Sequence, residues 1–249
     1  MPISNMRGGS TLAGAAAGLL LLTGCGSGGG TDEDPTAAAA APTREAPAAD
    51  HGLKRIPGVG DRVRAKIPAG SRQVVVVYGE SRNSADATVV LYDKQGNGQG
   101  TTWDRAGSWP AHNGAKGWTP DHREDDKRSP AGVFTLSDAG GVLPDPGAAL
   151  PYTRSSSFAA PRSWAKTHWH DFDYVIAIDY NRVKGTPPND PTRPRGQRAG
   201  GGIWLHMDHG SGTSACVSVP KAAMEILLRS VDPARGPVVV MGDKQYLKG

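Results

Sequence analysis

Residues 201–220 read GGIWLHMDHGSGTSACVSVP. Ile203, Trp204 and Leu205 form a short apolar run of strand type that ends at His206. A loop of Gly, Ser and Thr leads to Cys216, after which valine alternates with Ser218 and Pro220 opens a segment of helical period. A strand, a tight polar loop, a second strand-like run and a helix therefore follow one another. This order implies a β framework presenting a histidine and a cysteine, with a helix packed behind them.

Working outward, Met224, Leu227, Leu228 and Val231 recur at i, i+3, i+4 and i+7, which predicts an amphipathic helix over 221–231 with Pro220 near its first turn. Pro233 stops it, and residues 238–241 read as a last strand closed by Gly242. Toward the N-terminus, residues 73–78 (QVVVVY), 88–92 (TVVLY) and 174–180 (YVIAIDY) are β-branched runs of strand length, and residues 101–109 add another strand. Residues 129–136 (SPAGVFTL) supply a strand entered through a proline. Residues 118–128 are densely charged and predict an exposed loop, and residues 140–163 predict long surface loops. Residues 182–202, rich in Gly, Pro and Arg, predict a loop forming a lid or mouth over the site. Many short strands with one helix imply a mainly β fold, a sandwich or barrel-like domain.

The first fifty residues differ from the rest. Arg7 precedes an Ala/Leu stretch over 12–22, too short to span a bilayer, as in a secretory signal. Residues 22–25 (LTGC) resemble the lipobox of bacterial lipoproteins, which implies a signal over 1–25 and lipid modification of Cys25; without it the protein would be secreted. Residues 26–50 are low in complexity and lack apolar bulk, so they predict a disordered tether with a reach of roughly 25–30 Å. The folded domain is expected over 51–249, with its core at about 70–245.

Of 28 basic and 24 acidic side chains, 26 and 19 fall after residue 50, a surplus of seven positive charges. That surplus suits an anionic surrounding such as a bacterial wall, and equally ordinary solubility charge. No stripe of Lys and Arg interleaves with aromatics, so nucleic acid is not an expected partner. Only Cys25 and Cys216 are cysteines and no C-x-x-C occurs, which excludes a cysteine-rich zinc site. His168, His170, His206 and His209 show H-x-H and H-x-x-H spacings, but no glutamate accompanies them as in a metalloprotease helix. The expectation is no metal and no cofactor.

A thiol attacks as its thiolate, which a nearby imidazole can generate. His206 at the strand end is the candidate base for Cys216, ten residues before it; His209, seven before, is the alternative. The Met207 carbonyl can orient the ring, as the third member of a triad does. The backbone N–H groups of Ala215 and Cys216 are candidates for an oxyanion hole. A lone cysteine on a Val/Ser strand is also compatible with a small buried hydrophobe.

Residues 203–220, together with Ser129-Pro130-Ala131-Gly132-Val133-Phe134 and Tyr180-Asn181, resemble the L,D-transpeptidase family, the YkuD-type catalytic domain, in an actinobacterial form. Residues 129–134 are similar to that family's Thr-Pro-x-Gly-x-Phe element, with Ser129 in place of threonine. The resemblance implies an L,D-transpeptidase-like β-sandwich with one amphipathic helix after the catalytic cysteine. It implies an acyltransferase acting on peptidoglycan stem peptides at the outer face of the plasma membrane, anchored there by Cys25. Cys216 would take the tetrapeptide acyl group as a thioester, release D-alanine and pass the group to another stem as a 3→3 cross-link. Ser214, Ser218, Tyr180 and Asn181 would then meet substrate. Water as acceptor gives an L,D-carboxypeptidase, and a non-catalytic wall-binding lipoprotein is the alternative from another class. The family signature reads Ser-His-Gly-Cys, with Arg or Asn two positions after the cysteine; here Thr213-Ser214-Ala215-Cys216 matches it, with Ser214 for the histidine, Ala215 for the glycine and Ser218 at the last position.

Overall fold

The computed structural model describes residues 51–96 and 100–249. In chain order its elements are α1 (Asp61–Arg64), β1 (Gln73–Gly79), β2 (Asp86–Gln95), β3 (Thr102–His112), β4 (Trp118–Thr119), β5 (Ser129–Pro130), β6 (Gly132–Gly141) and β7 (Tyr152–Arg154). They continue with β8 (Val175–Ile178), β9 (Trp204–Met207), β10 (Val217–Val219), α2 (Lys221–Ser230), β11 (Val238–Asp243) and α3 (Lys244–Lys248). The signal, Cys25 and tether expectations lie outside the described residues. No helix among the described residues is long and apolar enough to cross a membrane.

The fold is mainly β. One sheet runs β11-β1-β2-β3-β10-β9-β8-β6-β7, and β11 also pairs with β6. That last ladder, Val238 opposite Thr135 through Met241 opposite Gly132, returns the hydrogen bonding to its start. The strand ladder is thus a closed, barrel-like circuit rather than two separately bonded sheets. Closure removes the free edges that β6 and β11 would otherwise present.

The valine run of β1 is apolar on both faces because both faces are covered. Val75 and Val77 join Val89, Leu91, Leu136, Ile176, Leu205, Val217 and Met241 in the interior cluster. Val74 and Val76 face outward and pack with Ile56, Val59, Val63, Val238 and Leu247. The segment containing α1 and the terminal α3 therefore cap the outer face of β1, β2 and β11. Following β10 and packed against β9, α2 buries Ala223, Met224, Leu227 and Leu228 in the interior cluster. Burial of each large side chain there contributes about 1.5–3 kcal/mol. The charged 118–128 segment is not wholly solvated: Trp118 is buried against Gly79, and His122 is buried with Nδ1 2.9 Å from Asp126.

Candidate active site

Strands β9 and β10 lie side by side in parallel, with Leu205 opposite Val217, His206 opposite Ser218 and Met207 opposite Val219. Leu205, Met207, Val217 and Val219 point into the interior cluster. By strand alternation Trp204, His206, Cys216 and Ser218 share the other face. Cys216, the residue before β10, thus lies on the face that carries His206 on the neighbouring strand. The fold brings nucleophile and base candidates onto one face through neighbouring strands.

The half-buried Cys216 thiol donates to the Gly202 carbonyl at 3.5 Å and accepts from the Trp204 N–H at 3.4 Å. His206 and His209 are not among the sulfur's hydrogen-bond partners, so the expected thiol–imidazole bond is not made in this conformation. Burial pushes the thiol up to about 11; the Trp204 N–H opposes that rise and the negative charge of Asp171 adds to it. The resting group is a thiol, not a preformed thiolate.

His206 is buried, with Nδ1 2.8 Å from the Met207 carbonyl oxygen. That carbonyl can only accept, so Nδ1 carries the proton and Nε2 keeps its lone pair. Burial lowers the imidazole to about 4, against the raising influence of the Met207 carbonyl and Asp171. At neutral pH the ring is uncharged and able to take a proton.

The peptide around the sulfur is held from a distance. Ser129 Oγ lies 2.7 Å from the Ala215 carbonyl and 3.2 Å from that of Cys216, and accepts from the Gly114 N–H at 2.9 Å. Thr213 Oγ1 donates to the Cys216 carbonyl at 2.7 Å. Ala215 is buried, and Ser214 beside it is exposed. Asp208 gathers Ser218 Oγ at 2.6 Å and His112 Nδ1 at 2.8 Å. Burial opposes its ionisation, but those two hydrogen bonds and the His112 charge hold its carboxyl below the usual range.

Three residues expected to meet substrate have their polar atoms committed within the fold. Tyr180 and Asn181 are buried and tie down the 182–202 loop instead of facing a ligand. The Tyr180 hydroxyl donates to the carbonyls of Ala199 and His122, and Asn181, at φ 48°, bonds Gly196, Gly200 and the Arg195 N–H. Ser218 is buried too, its hydroxyl committed to Asp208. By the Tyr180 and Asn181 bonds the loop is fastened to the end of β8 and to His122. Arg182 bridges Asp138 and Asp179 beneath it, and Trp204 Nε1 donates to the Pro188 carbonyl.

His209, the alternative base, turns away from solvent, its side chain 5% exposed. Its ring stacks on His206 with centroids 6.3 Å apart, and its Nδ1 lies 3.0 Å from Asp171 Oδ2. The same carboxylate oxygen is 3.0 Å from His168 Nδ1. Asp171, Ser129, Thr213 and Asp208 were not singled out in the sequence as site residues. A signal existed for one of them, since Ser129 lies in the Ser-Pro-x-Gly-x-Phe element. Compared with protein-family models, with curated proteins and with solved structures, the chain matches none of them.

Proposed function

We propose that this protein is a cysteine-dependent peptidoglycan L,D-transpeptidase, its closed β sheet and α2 being the catalytic domain of that family, lipid-anchored at Cys25 on the outer face of the membrane. The observation that carries the reading is the shared face of β9 and β10. A half-buried thiol sits there one strand from a neutral imidazole whose Nδ1 is spent on the Met207 carbonyl. Its Nε2 is thereby the proton acceptor.

In the reaction, Cys216 Sγ bonds to the stem-peptide carbonyl carbon as its proton passes to His206 Nε2. The Ala215 and Cys216 N–H groups meet the oxyanion. The C–N bond to D-alanine breaks, the leaving amine taking the proton from His206. The side-chain amine of a second stem then attacks the thioester, the C–S bond breaks, and the thiol is restored. Water in place of the amine gives the carboxypeptidase outcome. Because the sulfur is un-ionised and not yet bonded to His206, substrate binding must supply the final approach; apo sites are often looser than the reacting complex.

The raised thiol favours one second reading, a wall-binding protein without turnover. Intact mass after incubation with a carbapenem or a tetrapeptide donor separates them. An adduct mapping to Cys216 and absent from Cys216→Ala supports the enzyme. Sacculus binding with no adduct at any pH overturns it in favour of the binder.

A further inference from the structure

We propose that His168, Asp171 and His209 form a binding site for a divalent transition-metal cation of the zinc class. His168 closes the 3-10 turn Lys166–His168, Asp171 follows three residues on, and His209 enters from the loop after β9. The Met207 N–H donates to the Asp171 main-chain carbonyl at 3.0 Å, fixing that turn against the end of β9. The three side chains offer one ligand atom each, all within 4.8 Å of one another. Asp171 Oδ2 is 3.0 Å from both His168 Nδ1 and His209 Nδ1, and the two rings approach to 4.2 Å between centroids.

A hydrogen-bond account of this cluster fails at His209. Its side chain is 95% buried, yet neither ring nitrogen has a hydrogen-bond partner: Nδ1 is near Asp171 Oδ2 without the required direction. An imidazole buried this way has lost its water without a hydrogen bond to offset the loss. A cation between the three atoms satisfies it, taking the Nδ1 lone pairs of both histidines and one carboxylate oxygen. Metal–ligand bonds of about 2.0–2.2 Å set neighbouring ligand atoms about 3.3 Å apart in a tetrahedron, close to the nitrogen–oxygen separations found here. Two imidazoles and a carboxylate suit zinc, cobalt or nickel better than calcium or magnesium. His168 is a third exposed, so the fourth position faces water. Cys216 is not a ligand, its sulfur being bonded to Trp204 and Gly202. The site therefore stands apart from the acyl-transfer reading. It ties the loop after β9 to the turn that carries His168 and Asp171.

The test uses the full chain carrying Cys25→Ser, stripped with chelator and titrated calorimetrically with Zn²⁺. One site per chain is expected, with affinity lowered at least about tenfold in His168→Gln and His209→Gln and unchanged in Cys216→Ala. The Co²⁺ complex of the parent reads the ligand set without those variants: intense visible bands of a tetrahedral ion and no sulfur-to-cobalt charge-transfer band. Zinc should also protect the part-exposed His168 from diethylpyrocarbonate while exposed His51 and His170 react as before. Absence of stoichiometric zinc binding, binding undiminished in folded His168→Gln and His209→Gln, or a thiolate band in the cobalt spectrum overturns the proposal.

Discussion

Ser129 Oγ donates to the Ala215 carbonyl across 86 residues of chain, at 2.7 Å. It makes the start of β5 a support for the peptide that carries the thiol. Ser129→Ala removes that donor and leaves both the Gly114 N–H and the Ala215 carbonyl buried without it. The expected loss is about 2 kcal/mol in urea unfolding, with slower acylation of Cys216 by a carbapenem. Ser129→Thr keeps the hydroxyl and should retain both; Ser129→Val should not. Equal behaviour of Thr and Val would mean the hydroxyl supports nothing.

The ionisation of Cys216 fixes a second outcome. With the thiol raised to about 11 by burial, its alkylation by iodoacetamide should rise roughly tenfold per pH unit from neutrality and level off near 11. A plateau near neutrality would instead reveal a resting thiolate. Asp171 contributes to the rise, so Asp171→Asn should bring the plateau to lower pH.

His206 links the same site to stability. Its folded value is lowered to about 4, whereas an unfolded histidine titrates near 6.5. Between those values the unfolded chain binds a proton that the folded chain does not. Stability therefore falls as pH drops through that window, by up to about 1.4 kcal/mol per unit and about 3 kcal/mol in all. Above the unfolded value this contribution is constant. Guanidinium unfolding of parent and His206→Gln at several pH values should show the slope in the parent and a smaller one in the variant.

β1 and β8 were readable because the valine and YVIAIDY runs leave few alternatives, and α2 because its apolar residues keep helical period; β4 and β7 fall in stretches that read as loops. Closure of the sheet was not readable. It depends on β6, which pairs with β11 through Gly132, Val133, Phe134 and Thr135 and with β8 through Leu136, Ala139 and Gly140. No local pattern encodes a partner a hundred residues away. The family resemblance likewise put Tyr180 and Asn181 among the expected site residues without saying which way their polar atoms turn. Both satisfy loop carbonyls, because a loop packed on a barrel must pair its backbone somewhere. Gly79 shows the same limit: a Cβ there would lie 1.9 Å from Trp118 Nε1, a contact invisible in either segment alone. Gly79→Ala should lower the melting temperature by several degrees through that overlap.

Arg182 holds the loop over the thiol from below. Its side chain is 5% exposed, Asp138 6% and Asp179 1%. Its guanidinium also donates to Ser137 Oγ and the Thr186 carbonyl, so one cation serves two buried carboxylates and their neighbours. Arg182→Met strands both negative charges and should cost about 3–5 kcal/mol, the range for breaking one side of a buried pair. Arg182→Lys keeps the charge but not the planar fork and should fall between. Adding Asp138→Asn to Arg182→Met removes one uncompensated charge and should recover part of the loss, which a double-mutant cycle in urea measures. The same loop ends at Gly202, whose carbonyl accepts from the Cys216 thiol. Arg182→Met should therefore also change the iodoacetamide reactivity of Cys216 under conditions where the variant remains folded. Reactivity equal to that of the parent would confine Arg182 to stability and uncouple the loop's anchor from the sulfur.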